Sequence, residues 1–322
     1  MRIPLASAAA SAAILLALAT PARAEPSVVA TIAPLHSLVA GVMTGVGTPD
    51  LLIPGTSSPH TFSLKPSDAR KLENARVVFW IGPGLETPLE HPLETLAADA
   101  TVEPMIEAPG LTQRKFDDGH DDDHGGHGDH GKDGHDEKEH DDDAHAGHHH
   151  GPQDPHVWLD PDNARVMVAA IAGTLSGVFP DHAAAFAANA SRMTVELEKL
   201  DEEIKGILEP VWFKPFLTFH DSLGHFEARY GLAAGEAITV NPEIKPGARR
   251  IAELRHEVAE DGFVCAFIEP QFDPSIAEVI VEGSAAKIAT LDPLGSTLET
   301  GPTLYAELIR GIALTLRDCM AD

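Results

Sequence analysis

Short β-rich runs alternate with helical patterns along most of this 322-residue chain, and the alternation occurs twice. The strand candidates are residues 27–33, 51–54, 76–82 and 102–106 in the first half, and 216–220, 237–240, 263–269 and 287–291 in the second. Helical stretches such as residues 66–74 and 247–260 separate them. Successive parallel strands need such crossovers. The order therefore predicts an α/β fold with two doubly wound parallel sheets.

Between the two sets of strands, one longer helix is predicted over residues 181–208. Its apolar residues recur at spacings of four and three, which forms one continuous stripe: Phe186, Ala190, Met193, Leu197, Leu200, Ile204 and Ile207. A helix of this length measures about 40 Å and can run along two lobes. We therefore expect an N-terminal lobe over residues 25–179, a linking helix over 180–209 and a C-terminal lobe over 210–322.

The first 24 residues have the pattern of a secretory signal peptide. Arg2 supplies the positive start, residues 6–20 are small and apolar, and Ala22-Arg23-Ala24 fits a cleavage site before Glu25. No cysteine lies near that site, so the pattern predicts a soluble, exported protein without a lipid anchor. Its net charge of −27 disfavours nucleic acid and anionic lipid as partners and favours cations.

Residues 116–151 differ from the rest of the chain in composition. They comprise 10 His, 13 Asp or Glu, 8 Gly and 2 Lys among 36 residues, which predicts a disordered loop. Its histidines are His120, His124, His127, His130, His135, His140, His145, His148, His149 and His150. Three roles stay open for them: an inert solubilising tract, a set of weak zinc-collecting sites, and a zinc sensor.

Three histidines outside that loop share one type of position. His60 follows the second predicted strand, His156 follows the His-rich loop, and His220 ends the strand at residues 216–220. Asp292 directly follows the last predicted strand. Ligands of open parallel sheets bind at the carboxyl ends of the strands. We therefore expect His60 and His156 from one lobe to meet His220 and Asp292 from the other in a cleft, where three imidazoles favour Zn²⁺.

The remaining histidines and the two cysteines have less specific interpretations. His36 follows the first strand and is a weaker candidate for the same cleft. We expect the other four outside the loop to lie at the surface: His91, His182, His225 and His256. In an oxidising compartment Cys265 and Cys319 are predicted to form one disulfide, with two free thiols as the alternative.

Several motifs, taken in order, resemble the cluster A-I solute-binding proteins of ABC importers, and most closely their zinc-uptake, ZnuA-type branch. They are SPHTFSLKPSD at residues 58–68, WIGP at 80–83, DPHVWLD at 154–160, FHD at 219–221 and LDPLG at 291–295. The resemblance covers residues 25–322 except the His-rich loop, which this branch also tends to carry. It implies two four-stranded lobes bridged by one rigid helix, and a disulfide between Cys265 and Cys319.

The resemblance also implies a function and a set of ligands. The chain would be a periplasmic, monomeric protein that captures Zn²⁺ and delivers it to an inner-membrane permease with its cytoplasmic ATPase. His60, His156 and His220 would be the ligands, and histidine at position 220, where the manganese branch usually has glutamate, favours zinc. Pro59 stands where some zinc-branch members have glutamate. The fourth ligand is therefore Asp292 or a water molecule.

Two other functions compete with this prediction. A secreted zinc hydrolase would use three histidines and an open position, but the chain has no HExxH motif. Its best general-base candidates, Glu243 and Glu269, also have ordinary surface or capping explanations. A periplasmic zinc buffer without a transporter is the second competitor, because a docking surface for a permease leaves no readable motif.

Overall fold

A computed structural model describes residues 26–116, 153–240, 242 and 244–321. It confirms the predicted α/β architecture of two four-stranded parallel sheets. The strands of the first sheet are β1 (Val28–Ala30), β2 (Asp50–Leu51), β3 (Val77–Trp80) and β4 (Thr101–Pro104). Those of the second are β5 (Phe216–His220), β6 (Glu236–Thr239), β7 (Cys265–Ile268) and β8 (Lys287–Thr290). Each predicted strand overlaps an observed one.

The two sheets have equivalent topologies. Their strand orders are β2-β1-β3-β4 and β6-β5-β7-β8, and every neighbouring pair is parallel. The central strands β1, β3 and β5 are fully buried, which explains their continuous apolar sequences. Because all strands of a sheet run in one direction, the loops after them gather at one edge.

Nine helices connect or cover the described strands. In the first lobe they are α1 (Ala33–Val42), α2 (Pro66–Asn74), α3 (Glu90–Leu96) and α4 (Pro161–Val178). The linking helix is α5 (Ala183–Leu208), and the second lobe has α6 (Gly224–Tyr230), α7 (Ala248–Glu260), α8 (Ser275–Val281) and α9 (Leu304–Met320). At 26 residues, α5 is about 39 Å long.

The apolar stripe of α5 faces the core that joins the two lobes. Four residues of the stripe are buried, and α5 packs against α1, α4 and α9: they are Phe186, Met193, Leu197 and Ile204. Asn189 also donates from Nδ2 to the carbonyl oxygen of Val42 at 2.8 Å, which fixes the helix against α1. The linking helix is therefore part of the packed structure rather than a free connection.

The predicted disulfide is present between Cys265 at the start of β7 and Cys319 near the end of α9. The two residues are 54 positions apart, and closing such a loop stabilises the fold by about 4 kcal/mol on the chain-entropy model. The bond holds α9, which also contacts α1 and α5, to the second sheet.

Three predictions concern residues outside the described ranges. These are the signal peptide at 1–24, the His-rich loop apart from Phe116, and Glu243. Within the part that the structure describes, no helix is both long and apolar enough to cross a membrane.

Candidate metal centre

Each of the three candidate ligands occupies a short segment at the cleft edge of a sheet. His220 is the last residue of β5. His60 lies in a single 3₁₀ turn, Pro59–Thr61, after β2. His156 directly precedes the 3₁₀ turn Val157–Leu159, which leads into α4. The Asp160 carboxylate caps α4 by accepting from the amide of Asp162 at 2.8 Å, which fixes where that segment ends.

The structure brings these histidines together across the cleft. The possible ligand atoms of His60, His156 and His220 all lie within 4.8 Å of one another. The Nε2 atoms of His156 and His220 are 3.2 Å apart. Two nitrogens bound to one tetrahedral Zn²⁺ at its usual bond length are about 3.3 Å apart. The spacing of this pair is therefore that of two neighbouring ligands in a tetrahedral zinc shell.

Buried carboxylates hold the rings of this pair. Nδ1 of His156 lies 2.7 Å from Oδ1 of Asp154, and Nδ1 of His220 is bonded to Oε1 of Glu269. A carboxylate accepts, so each Nδ1 carries the proton and each Nε2 is left with its lone pair. Two such lone pairs facing each other form a site for a cation. Carboxylates bonded to ligating histidines also raise the basicity of the ligands.

Burial favours the neutral form of the His60 and His156 imidazoles. Burial, and then the neighbouring His156 and His220, lowers the pKa of His60 to about 3. Burial also holds the pKa of His156 well below its usual range, and His220 adds to this effect. Only a neutral imidazole ligates a metal. At neutral pH His60 and His156 are therefore in the form that can bind a metal.

Apolar groups surround the three rings. Trp158 is fully buried and its ring centroid is 5.4 Å from that of His156, while Phe272 is 5.9 Å from His220. Leu85 and Leu294 contribute to the same pocket from opposite lobes. Such an apolar lining lowers the local dielectric constant, which strengthens electrostatic interactions within the site.

Asp292, the fourth predicted ligand, is not among the residues whose ligand atoms converge in the described part of the chain. Its Oδ1 accepts from the amides of Leu294 and Gly295, both at 3.0 Å, and its Oδ2 accepts from the Ser296 hydroxyl at 2.7 Å. Both oxygens therefore stabilise the turn that follows β8. An aspartate before Pro and Gly is typical of such a turn.

The predicted positions of the other histidines are confirmed for some and wrong for others. His91 and His256 are exposed, as predicted. His36 is buried and its Nε2 donates to the carbonyl oxygen of Pro49 at 3.0 Å, away from the three converging histidines. The prediction of a surface position for His225 is wrong: it is 1% exposed, and its Nε2 donates to the carbonyl oxygen of Asp154 at 3.2 Å. His182 is partly exposed.

Sequence reasoning missed the two supporting carboxylates. Glu269, given a surface or capping explanation above, is 5% exposed and is bonded to His220. The β5–β7 register pairs Phe216 with Cys265, so it places His220 beside Glu269 one step beyond the strand. Asp154 precedes His156 by two residues and accepts from its amide at 2.9 Å. That spacing is typical of an Asx turn and was the available signal.

Comparisons with known proteins agree with this geometry. A protein of Brucella suis biovar 1, "High-affinity zinc uptake system protein ZnuA", is 44% identical over 307 residues, which cover 91% of each chain. Two solved structures share the fold. "Crystal structure of ZnuA" has a TM-score of 0.73 at 23% identity and covers 91% of this chain and 98% of that one. The periplasmic zinc binding protein TroA of Treponema pallidum has a TM-score of 0.75 at 19% identity and covers 93% and 100%.

The family model described as zinc-uptake complex component A, periplasmic, matches residues 28–319. The match extends across both lobes and includes the three converging histidines and the disulfide. It confirms the predictions of a zinc-binding component of a transport system and of a protein that is not an enzyme. The chain belongs to the ZnuA family of periplasmic zinc-uptake components.

Proposed function

We propose that this protein captures one Zn²⁺ with high affinity in the cleft, using Nε2 of His156 and His220 together with His60, and delivers it to an ABC permease. The observation that carries the proposal is the pair of Nε2 atoms 3.2 Å apart, each on a ring whose Nδ1 is held by a carboxylate. Three imidazoles suit Zn²⁺, whereas Mn²⁺ is better served by carboxylates and water.

The supporting contacts also favour binding over catalysis. A hydrolase needs a general base that reaches the metal-bound water. Glu269, the described candidate for that role, is buried and engaged with Nδ1 of His220. Its position therefore suits the orientation of a ligand better than the removal of a proton from a substrate.

Export and delivery are the second part of the proposal. Residues 1–24 act as a cleavable signal peptide, and the mature protein works in the periplasm as a monomer. Its partner is an inner-membrane permease with a cytoplasmic ATPase. The printed name of the Brucella relative, a high-affinity zinc uptake system protein, supports this assignment. Finding permease and ATPase genes beside this one would separate a transporter subunit from a free-standing zinc buffer.

The His-rich loop is proposed to collect zinc close to the cleft. The two residues that flank it in the described structure, Lys115 and Gln153, form an isolated antiparallel bridge. Gln153 is followed by Asp154, which holds His156. The flanking residue Gln153 is three positions from His156 in the chain, so we infer that zinc bound by loop histidines is released near the ligands.

The ligand set is tested by single substitutions followed by competition with a chelator of known zinc affinity. The tight site should be abolished by each of three substitutions, His60→Ala, His156→Ala and His220→Ala. His91→Ala and His256→Ala are the matched controls because both side chains are exposed. Full affinity in all three cleft variants, or Mn²⁺ bound as tightly as Zn²⁺ by the unmodified protein, would refute the proposal.

A further inference from the structure

His60 stands apart from the other two candidate ligands. The ring centroids of His156 and His220 are 5.1 Å apart, whereas His60 is 5.9 Å from His156 and 6.0 Å from His220. His60 is also less buried than the other two rings. The three histidines therefore form a close pair and one more distant member.

The close pair is held together by contacts between the His156 segment and the second lobe. Trp158 donates from Nε1 to the carbonyl oxygen of Pro293 at 3.0 Å. The backbone oxygen of Trp158 accepts from the Tyr305 hydroxyl, on α9, at 2.8 Å. His156 precedes the first sheet's helix α4 in the chain, yet its segment is bonded to the loop after β8 and to α9.

Helix α6 of the second lobe adds further bonds to the same segment. His225 donates to the backbone oxygen of Asp154 at 3.2 Å. Arg229 is paired with Asp162 at the start of α4 and donates from Nε to Asp201 of α5 at 2.9 Å. These bonds lie on both sides of His156. These bonds attach the His156 segment to the lobe that carries His220. We therefore expect His156 and His220 to keep their spacing if the two lobes move relative to each other.

The segment that carries His60 meets the second lobe through a different contact. Gln271, three residues beyond the end of β7, donates from Nε2 to the carbonyl oxygen of Gly55 at 2.8 Å. A Cβ atom at Gly55 would lie 2.9 Å from Cα of Ser296. Only glycine allows the first lobe's loop to approach the second this closely. His60 lies five positions after Gly55, so we expect this contact to set the position of the His60 turn over the cleft.

We propose that Gln271 is the positioning residue for His60, and that zinc is captured first by His156 and His220 and then enclosed when the His60 segment closes onto Gln271. This rests on the proposed function. Entry then depends on the fixed pair, whereas retention depends on the bond between Gln271 and Gly55. Weakening the closure should raise the dissociation rate and leave the association rate unchanged.

Stopped-flow measurement of zinc association and dissociation on Gln271→Leu tests the proposal. Gln271 Nε2 also lies 3.4 Å from Oδ1 of Asp292, but only its bond to Gly55 joins the two lobes. Loss of that interlobe bond predicts dissociation about fivefold faster, with association within about twofold of the unmodified protein. Gln113→Leu is the matched control, since Gln113 also donates from Nε2 to a backbone oxygen, that of Ile106, at 2.8 Å but within the first lobe. Gly55→Ala should reproduce the kinetics of Gln271→Leu, because its methyl group prevents the same approach.

The histidine variants provide a second readout. His60→Ala keeps the fixed pair and should retain weak zinc binding, whereas His156→Ala should retain less. Equal dissociation rates in Gln271→Leu and Gln113→Leu, or association slowed as much as dissociation is accelerated, would overturn the role of Gln271. Absence of a tight site in the unmodified protein would instead overturn the proposed function, so the two failures are distinguishable.

Discussion

Glu269 offers the most direct test of how the protein prepares its site. Its carboxylate accepts from Nδ1 of His220, is 5% exposed and lies outside the set of proposed ligands. Replacing it with glutamine keeps the shape and one acceptor oxygen but removes the charge. Replacing it with leucine removes the acceptor and leaves the proton of a buried ring nitrogen without its partner.

The structure sets the expected magnitudes. A hydrogen bond to a charged group contributes about 1.5–3 kcal/mol, roughly twice a neutral one. Glu269→Gln should therefore weaken zinc binding by about 1 kcal/mol, which is about fivefold at 1.4 kcal/mol per decade. Glu269→Leu should cost about 2–3 kcal/mol, which approaches the hundredfold losses known for such partners of zinc ligands.

Competition titration against a fluorescent zinc chelator measures both variants at pH 7. Glu203→Gln is the matched control. Glu203 is a surface residue of the linking helix α5 that pairs with Arg310 of α9, so this variant also removes one paired carboxylate charge. The melting temperature of the zinc-free proteins separates weaker binding from unfolding. Zinc affinities within twofold of the control for both Glu269 variants would refute the supporting role of this carboxylate.

Three further predictions follow from the site. Asp292→Ala tests the proposed fourth ligand: loss of the tight site would assign it to the metal, and retained affinity with a lower melting temperature would assign it to the turn after β8. Since the pKa of His60 is lowered to about 3, the unfolded chain binds more protons below about pH 6.5. The zinc-free protein should therefore lose stability as pH falls from 6.5 toward 3, less steeply in His60→Ala; equal slopes by thermal melting would contradict this. Deleting residues 118–150 should leave one tight site and lower the total zinc stoichiometry in calorimetry, whereas unchanged stoichiometry would favour an inert loop.

The sequence determined the architecture because its information was local. Alternating strand and helix patterns predicted eight strands, and each overlaps an observed strand. The spacing of four and three predicted the long helix that the structure begins at Ala183 and ends at Leu208. Parallel strands bring their carboxyl ends to one edge, which predicted that His60, His156 and His220 converge, as the structure shows. The same argument placed Asp292 among them, and it instead stabilises the turn after β8.

What the tertiary structure alone decided depends on contacts between distant segments. Glu269 meets His220 across 49 residues, and Gln271 meets Gly55 across 216, so neither contact follows from local patterns. The burial of His225 depends on how α6 packs against the turn before α4, and helical periodicity over seven residues is too short to indicate it. Residue type and strand position fix which groups reach the cleft. The His220 ring is oriented by a bond to Glu269 that forms only when β5 pairs with β7. The segment that carries His156 is bonded to the second lobe only when the lobes pack together.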